Sequence, residues 1–197
     1  MTKSTAKKVE LKDLKIRTVE IPIIGTSPLI IHKFSDKTRR EMEEKQQGKS
    51  KVAKHSIKVP EEDFENAKHY SPEGWEGFPC GGFKKAMVRG ALSIGMKMTE
   101  VRASVFVEPE CPVSNLVQIK GESQMRTDMV RVSNGSPDVR YRPEYPTWEA
   151  TLKITYNEGV VSLDQVFQML HYAGWGVGIG EWRPEKSGIN GRFTIKQ

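Results

Sequence analysis

Apolar and polar residues alternate in four segments of the chain, which is the pattern that half-buried β-strands produce. In the clearest segment, every second side chain from Trp148 to Tyr156 is apolar, and Trp148 is expected in the core. In the first segment, Pro22 lacks an amide donor, which predicts an edge strand or a local interruption of the pairing. The four predicted strands cover residues 17–24, 101–107, 148–156 and 192–196.

Two other segments have the spacing of amphipathic helices, with apolar residues three or four positions apart. In the first, Phe83 and Met87 share a face, and Gly95 is placed to end the helix. The second begins at Ser162 with Gln165 three residues later, which is a capping-box pattern. The sequence therefore predicts a helix before the second strand and another before the last strand.

In chain order these elements read strand, helix, strand, strand, helix, strand. This βαββαβ order predicts an α+β fold of the ferredoxin-like (RRM-like) type, in which two helices cover one face of an antiparallel sheet and leave the other face open. We expect a single domain over residues 1–197 with two insertions, at 26–80 and 108–147. The second insertion contains a predicted hairpin around Asn134-Gly135, a dipeptide typical of tight turns.

The chain is basic, with 31 lysines and arginines against 25 aspartates and glutamates, a net charge of +6. Such an excess favours a polyanionic partner. Most of it falls in one tract, residues 33–58, which carries nine basic and four acidic side chains. This tract has almost no apolar periodicity, so we predict a solvated helix or a mobile loop there.

Several classes of protein are excluded by the sequence pattern. No apolar run approaches the ~20 residues that a membrane-spanning helix needs, so no membrane partner is expected. The polar, lysine-rich start does not resemble a secretory signal. Cys80 and Cys111 accompany four histidines without CxxC or HxxxH spacing, so we expect neither a disulfide framework nor a metal site or other cofactor. A cytoplasmic location is expected.

Six glycines lie between residues 174 and 191, directly after the second predicted helix. Glycine allows positive φ angles and close backbone approach, and successive amides can cradle a phosphate. The stretch lacks the spacing of a Walker loop, and it follows a helix, unlike a Rossmann fingerprint. We favour an anion- or backbone-binding loop over a flexible turn, with Gly178, Gly180, Trp182, Arg183 and Lys186 as contact residues.

Two further groups of cations are candidates for contacts with a polyanion. On the first predicted helix, cations lie off the apolar face, where they would bind phosphates. The hairpin at 125–142 combines arginines with an aromatic ring, a common contact set for nucleic acid, although a solvated hairpin kept soluble by charge is an equal alternative. The candidates are Lys84, Lys85 and Arg89 on the helix and Arg126, Arg131, Arg140, Tyr141 and Arg142 on the hairpin.

The sequence offers little support for catalysis. His32 or His55 could act as general acid or base in a metal-independent ribonuclease, but no spacing distinguishes them from chance. His171 on the second helix is expected to be structural. Of the tryptophans in glycine-rich loops, Trp175 and Trp182 among them, plugging of the loop is slightly favoured over base stacking. We therefore expect a non-catalytic protein.

The segments FPCGGFKKAMVRGAL, at the first helix, and GVGIGEWRPEKSGINGRF, after the second, resemble the RAMP superfamily of CRISPR-associated proteins. In that family the first helix follows a Pro/Gly turn and carries a Lys/Gly/Arg pattern, and a glycine-rich loop follows the second helix. The matching positions here are Pro79, Gly81, Gly82, Lys85, Arg89 and Gly90 in the first segment, and Gly176, Gly178, Gly180, Gly188 and Gly191 in the second.

The resemblance implies a ferredoxin-like core that binds single-stranded RNA. In the backbone subfamily, copies line up along a guide RNA under a β-hairpin thumb, and the insertion at 108–147 occupies the place of that thumb. The segment Glu181-Trp182-Arg183-Pro184 is not a general family feature. It leaves open a phage or plasmid relative that coats single-stranded DNA as a filament, or a decoy of a CRISPR complex.

The main hypothesis is a non-catalytic protein that binds single-stranded nucleic acid, RNA in preference, as repeated copies or beside other subunits of a ribonucleoprotein. One alternative is a filament-forming protein for single-stranded DNA. A second is the metal-independent RNA endonuclease. A third is a protein-interaction or virion component whose basic charge is incidental.

Overall fold

The computed structural model describes residues 13–33, 43, 46, 47, 59–111, 113–131, 135 and 137–196. Almost all of the predicted solvated tract at 33–58 lies outside these residues. Asn134 of the predicted turn also lies outside them. The helices are α1 (Pro60–Asn66), α2 (Cys80–Gly90), α3 (Met98–Ser104) and α4 (Leu163–Tyr172). The strands are β1 (Ile16–Gly25), β2 (Leu29–Ile30), β3 (His69–Tyr70), β4 (Glu76–Pro79), β5 (Val105–Glu108), β6 (Leu116–Gln118), β7 (Gln124–Arg131), β8 (Pro137–Tyr145), β9 (Glu149–Asn157) and β10 (Phe193–Ile195).

The main sheet contains four antiparallel strands in the order β10-β1-β9-β5. Its inner face is built from the alternating apolar residues, with Ile21 opposite Leu152 and Val105 opposite Tyr156. Two smaller antiparallel sheets have the orders β2-β8-β7 and β3-β4-β6. The α+β class predicted from the sequence is therefore confirmed.

Pro22 lies in an inner strand, because β1 pairs with β9 on one side and β10 on the other. Of the two predicted alternatives, the edge strand is thus wrong, and the local interruption of the pairing is the one that the structure shows. The Pro22 carbonyl accepts a hydrogen bond from the Lys196 amide at 2.9 Å, so the polar groups of Pro22 face the β10 side. The β1–β10 register runs only from Ile23 to Gly25, and the missing donor falls where that pairing ends.

The second predicted strand starts too early. Residues 98–104 form α3, and only Val105–Glu108 is extended. Val101 and Val105 are both buried, and a spacing of four satisfies a helix as well as a strand. The short alternating segment therefore did not distinguish a helix from a strand.

α2 and α4 pack side by side over the inner face of the sheet, and Gly90 allows their close contact. A Cβ on Gly90 would lie 2.5 Å from the Met169 carbonyl oxygen. The capping box of α4 is formed as predicted: Gln165 N donates to Ser162 Oγ at 3.2 Å, and Ser162 N donates to Gln165 Oε1 at 2.9 Å. The core between these layers includes Phe83, Met87, Leu152, Ile154, Val166 and Met169.

β7 and β8 form the predicted hairpin, with Thr127 opposite Tyr141. Its base is joined to the main body through β2, since Leu29 pairs with Tyr145. Trp148, between β8 and β9, is buried as predicted, and its indole nitrogen donates to the Ser27 carbonyl oxygen at 2.9 Å. The insertion is therefore anchored to the main sheet at its base.

Candidate nucleic-acid interface

A cleft of about 890 Å³ separates α2 from the glycine-rich loop that follows α4. We call it the α2 cleft and define it by its lining residues on α2, on the 177–186 loop, and at Met98 and Arg102 of α3. It brings together two segments that lie almost a hundred residues apart in sequence. Of the contact residues predicted from the sequence, it is lined by Lys84, Lys85, Arg89, Gly178, Gly180, Arg183 and Lys186.

The loop wall of the cleft is packed closely against β2. Gly180 has φ +73, and a Cβ there would lie 2.4 Å from the Ile30 carbonyl oxygen. That carbonyl accepts a hydrogen bond from the Glu181 amide at 2.9 Å. Gly178 has φ +71, and a Cβ there would lie 2.7 Å from Pro184 Cδ within the loop. Glycine is required at Gly180 because a side chain would force the loop away from β2, and at Gly178 because a side chain would collide with the loop itself.

The helix wall of the cleft begins with the first turn of α2. Pro79 is the N-cap and supplies no side-chain hydrogen bond to the first turn. Gly81 and Gly82 both line the cleft, and a Cβ on Gly82 would meet the Phe78 ring at 2.3 Å. Amides in a first turn have no partner within the helix, and the helix dipole places partial positive charge there. The Cys80 amide is already used, since it donates to the Asn115 carbonyl oxygen at 2.9 Å, and the later amides of the turn add backbone donors to the side-chain cations.

Cations outnumber carboxylates in the cleft by six to two. The carboxylates are Glu181 and Glu185, and Glu185 is shared: it accepts hydrogen bonds from Arg89 at 2.9 Å and from Arg183 at 2.8 Å. Burial opposes ionisation of Glu185, but the hydrogen bonds from the two arginines outweigh it and lower the pKa. The cations are Lys84, Lys85, Arg89, Arg102, Arg183 and Lys186.

Two histidines also line the cleft, His32 and His69. Burial lowers the pKa of His69 to about 4, and the nearby Lys33 adds to the effect. Burial also lowers the pKa of His32, followed by the charges of Arg142 and Arg140. Both imidazoles are therefore neutral near pH 7. No specific catalytic role was predicted for His69 from the sequence, and His55 lies outside the described residues.

The arginines of the hairpin are engaged with carboxylates of the same hairpin. Arg126 bonds to Asp128 and to Glu144, both at 2.8 Å. Arg140 and Arg142 lie 3.4 Å from Asp138 and Asp128, respectively. The side chain of Arg142 is only 2% exposed. The predicted clamp across bases is therefore corrected for Arg142, whose guanidinium is enclosed within the protein.

Trp182 links the glycine-rich loop to these arginines, which we call the arginine ladder: Arg126, Arg140 and Arg142 with their carboxylate partners on one face of the hairpin. The guanidinium carbons of Arg126 and Arg142 lie 5.1 and 5.7 Å from its ring centroid. Its φ is +51, an uncommon conformation for a bulky residue. The indole is thus held by arginines at the hairpin base. Trp175, in contrast, is 68% exposed, so plugging of its loop is wrong for that residue.

The remaining hairpin candidates lie on the opposite face from the arginine ladder. Arg131 lies on the same face of β7 as Met125 and Met129. Tyr141 of β8 lies on that face too, because it pairs with Thr127. Arg131 is exposed, whereas Tyr141 is half-buried. The predicted site is thereby divided into the α2 cleft, the internal ladder and a separate outer face of the hairpin.

Arg102 and Phe106 were missed as functional candidates. Arg102 lines the cleft from α3. The Nζ of Lys84 lies 3.7 Å from the centroid of the Phe106 ring, which is 45% exposed on β5. The alternating pattern assigned both residues to one strand. It therefore did not predict α3, the helix that brings Arg102 to the cleft.

No protein-family model matches the chain, and no curated protein matches it by sequence. A crystal structure of Cmr6 from Pyrococcus furiosus is similar at 9% sequence identity with a TM-score of 0.45, covering 93% of this chain and 100% of that one. A likeness at this level carries no argument about function.

Within the described ranges, no helix is long and apolar enough to cross a membrane. In the same part of the chain, no three His, Cys, Asp or Glu side chains are grouped so that they could hold a metal ion.

Proposed function

We propose that the protein binds single-stranded nucleic acid, RNA in preference, without cleaving it, and that the α2 cleft holds the sugar-phosphate backbone. The observation that carries this proposal is the excess of cations in the cleft together with the backbone amides at the start of α2. Charged side chains and helix-terminal amides are the groups that contact phosphates.

The proposal extends to a RAMP-type, ferredoxin-like core. It is supported by the strand order β10-β1-β9-β5, which is fourth, first, third, second among the four strands of the main sheet. A second support is that the two motif segments meet. The same cavity is lined by Gly81 and Gly82 in the first turn of α2 and by Gly178 and Gly180 after α4. Motifs that share a ligand are expected to converge in this way.

The first experiment is to purify the protein from the cytoplasm of an expression host and analyse what accompanies it. We expect bound nucleic acid that RNase removes, with a length set by the number of copies on the strand. Removal by DNase alone would favour the DNA-coating alternative. Protein free of nucleic acid that gives no gel shift with either polymer would overturn the proposal and favour the protein-interaction alternative.

Salt dependence tests the role of the cleft directly. Contacts to phosphates release counterions, so affinity for a single strand falls with a slope of about −0.7 per contact on a logarithmic salt axis. Little sequence preference is expected, because phosphates carry no sequence information. An affinity that stays constant between low and moderate salt would contradict binding through the backbone.

A second candidate function is metal-independent cleavage of RNA. It is favoured by the two neutral imidazoles, His32 and His69, in a cationic cleft, since a neutral imidazole can accept a proton from a ribose hydroxyl. The test is incubation with RNA hairpins in the presence of a chelator. Cleavage that is lost in both His32→Ala and His69→Ala would support this candidate, and intact RNA would exclude it.

A further inference from the structure

Phe106 is a large aromatic residue at the rim of the α2 cleft. It belongs to β5, which begins directly after α3 and forms one edge of the main sheet. Its neighbours Val105 and Val107 are buried against the helices, whereas the Phe106 ring is 45% exposed. An isolated exposed aromatic ring is ordinary, so the exposure alone carries no function.

Phe106 differs from an ordinary exposed residue because Lys84 contacts its ring. The ammonium group of this cleft lysine lies 3.7 Å from the centroid of the ring. A cation at that distance is attracted to the ring face. The ring and the cationic wall of the cleft are therefore adjacent parts of one surface, which we call the Lys84–Phe106 rim.

Arg102 adds a second cation to this rim, because it also lines the cleft. Burial lowers the pKa of Lys84, the charge of Arg102 lowers it further, and the nearby Glu108 offsets part of the shift. Two cations that repel each other in this way are stabilised when an anion lies between them. A phosphate is such an anion.

We propose that one base of the bound strand stacks on the Phe106 ring while an adjacent phosphate is held by Lys84 and Arg102. The strand then leaves the α2 cleft over the edge strand β5 towards the outer face of the main sheet. This inference rests on the proposed function and adds to it a base contact that does not depend on the hairpin.

The outer face beyond Phe106 is polar enough to accompany a strand of nucleotides. Phe106 pairs with Thr155, whose hydroxyl lies 3.1 Å from that of Thr18 on the next strand. In the following row of this face, Lys153 pairs with Glu20 on one side and with Glu108 on the other. The hydroxyl groups therefore lie directly beside Phe106, and the ring at the edge of the face supplies the stacking surface.

Binding of the full-length protein to a labelled 12-nucleotide oligouridylate tests the stacking. Phe106→Ala should weaken binding by about 5- to 150-fold, the range for loss of one stacked base. Phe106→Leu keeps apolar bulk without the ring and should be weakened similarly, whereas Phe106→Trp should retain the affinity. Leu92→Ala, at an apolar residue that is 55% exposed and does not line the cleft, should bind as the original protein does.

Two further measurements separate the ring from the cations. Phe106→Ala should keep the salt slope of the original protein, whereas Lys84→Gln should reduce it by about 0.7. An abasic oligomer of equal length and charge should bind the original protein and Phe106→Ala with equal affinity. Melting temperatures of all variants show whether each is folded.

The outcomes distinguish this inference from the proposed function. If the original protein binds the oligomer and Phe106→Ala and Phe106→Leu bind it equally well, the stacking is wrong and the cleft proposal stands. If Phe106→Ala is weakened equally for the abasic oligomer, the ring acts only by supporting the fold, and the inference is overturned. If the original protein binds no single strand at low salt, both proposals fail.

Discussion

A side chain on Gly180 would collide with the backbone of Ile30, because a Cβ there would lie 2.4 Å from the Ile30 carbonyl oxygen. Gly180→Ala is therefore expected to displace the glycine-rich loop from β2. The positive φ and the collision together should lower the free energy of unfolding by about 2 kcal/mol or more. For a chain of this length, thermal unfolding should then shift down by about 4–8 °C.

Gly176→Ala is the matched control for this prediction. It lies in the same stretch, but a Cβ there would meet nothing within 4 Å. Its melting temperature and its affinity for single-stranded RNA should stay close to those of the original protein. Equal loss in both variants would show that any alanine in the stretch is harmful and that the contact with Ile30 is not the cause.

The sequence predicts local features of this fold well, and the reason is visible at α4. Ser162 and Gln165 are three residues apart and bond to each other, so their spacing alone defines the capping box. β9 is equally local, since each of its inward residues is apolar whatever its partner. Features that depend on neighbours in sequence can be read without the fold.

The role of Arg142 could not be predicted in this way. Its partners are Asp128 across the hairpin and Trp182, 40 positions later in the chain. An arginine on an alternating strand has the same local pattern whether it faces solvent or a carboxylate. Its guanidinium is enclosed by contacts with residues distant in sequence, among them Trp182 of the glycine-rich loop.

Glu185 restrains two of the cleft cations, and its removal should strengthen binding. In Glu185→Gln the charge opposing Arg89 and Arg183 is lost, so both guanidinium groups become available to phosphates. We expect about 2- to 10-fold tighter binding of single-stranded RNA. The salt slope should steepen by up to about 1.4, because two more contacts can form.

Glu158→Gln is the control for this substitution. Glu158 pairs with Arg17 at 3.3 Å on an exposed surface away from the cleft, and its loss changes the net charge of the protein by the same amount. If both variants gain the same affinity, the effect comes from net charge, and the local restraint by Glu185 is refuted.

Asp128 supports the buried end of the arginine ladder. Its side chain is 4% exposed and faces Arg142, which is 2% exposed. Asp128→Ala leaves that guanidinium buried without its carboxylate, and such a loss lowers the free energy of unfolding by about 3–5 kcal/mol. Asp138→Ala removes the more exposed partner of Arg140 and should change it by less than about 1 kcal/mol. Urea denaturation of the two variants measures the difference, and equal effects would contradict the structural role of the ladder.

His69 should make the stability of the protein depend on pH. Burial lowers the pKa of His69 from its ordinary value of 6.5 to about 4 in the folded state, so between these values the unfolded chain binds the proton more readily. Stability is therefore lost as the pH falls through this window, and solvent screening limits the contribution to about 2 kcal/mol. Urea denaturation at pH 7.5 and pH 5 should show a smaller decrease for His69→Gln than for the original protein. Above pH 7.5 the imidazole is neutral in both states, so the two proteins should differ by a constant amount there. If the free energy of unfolding falls equally in both proteins between pH 7.5 and pH 5, other groups cause the loss.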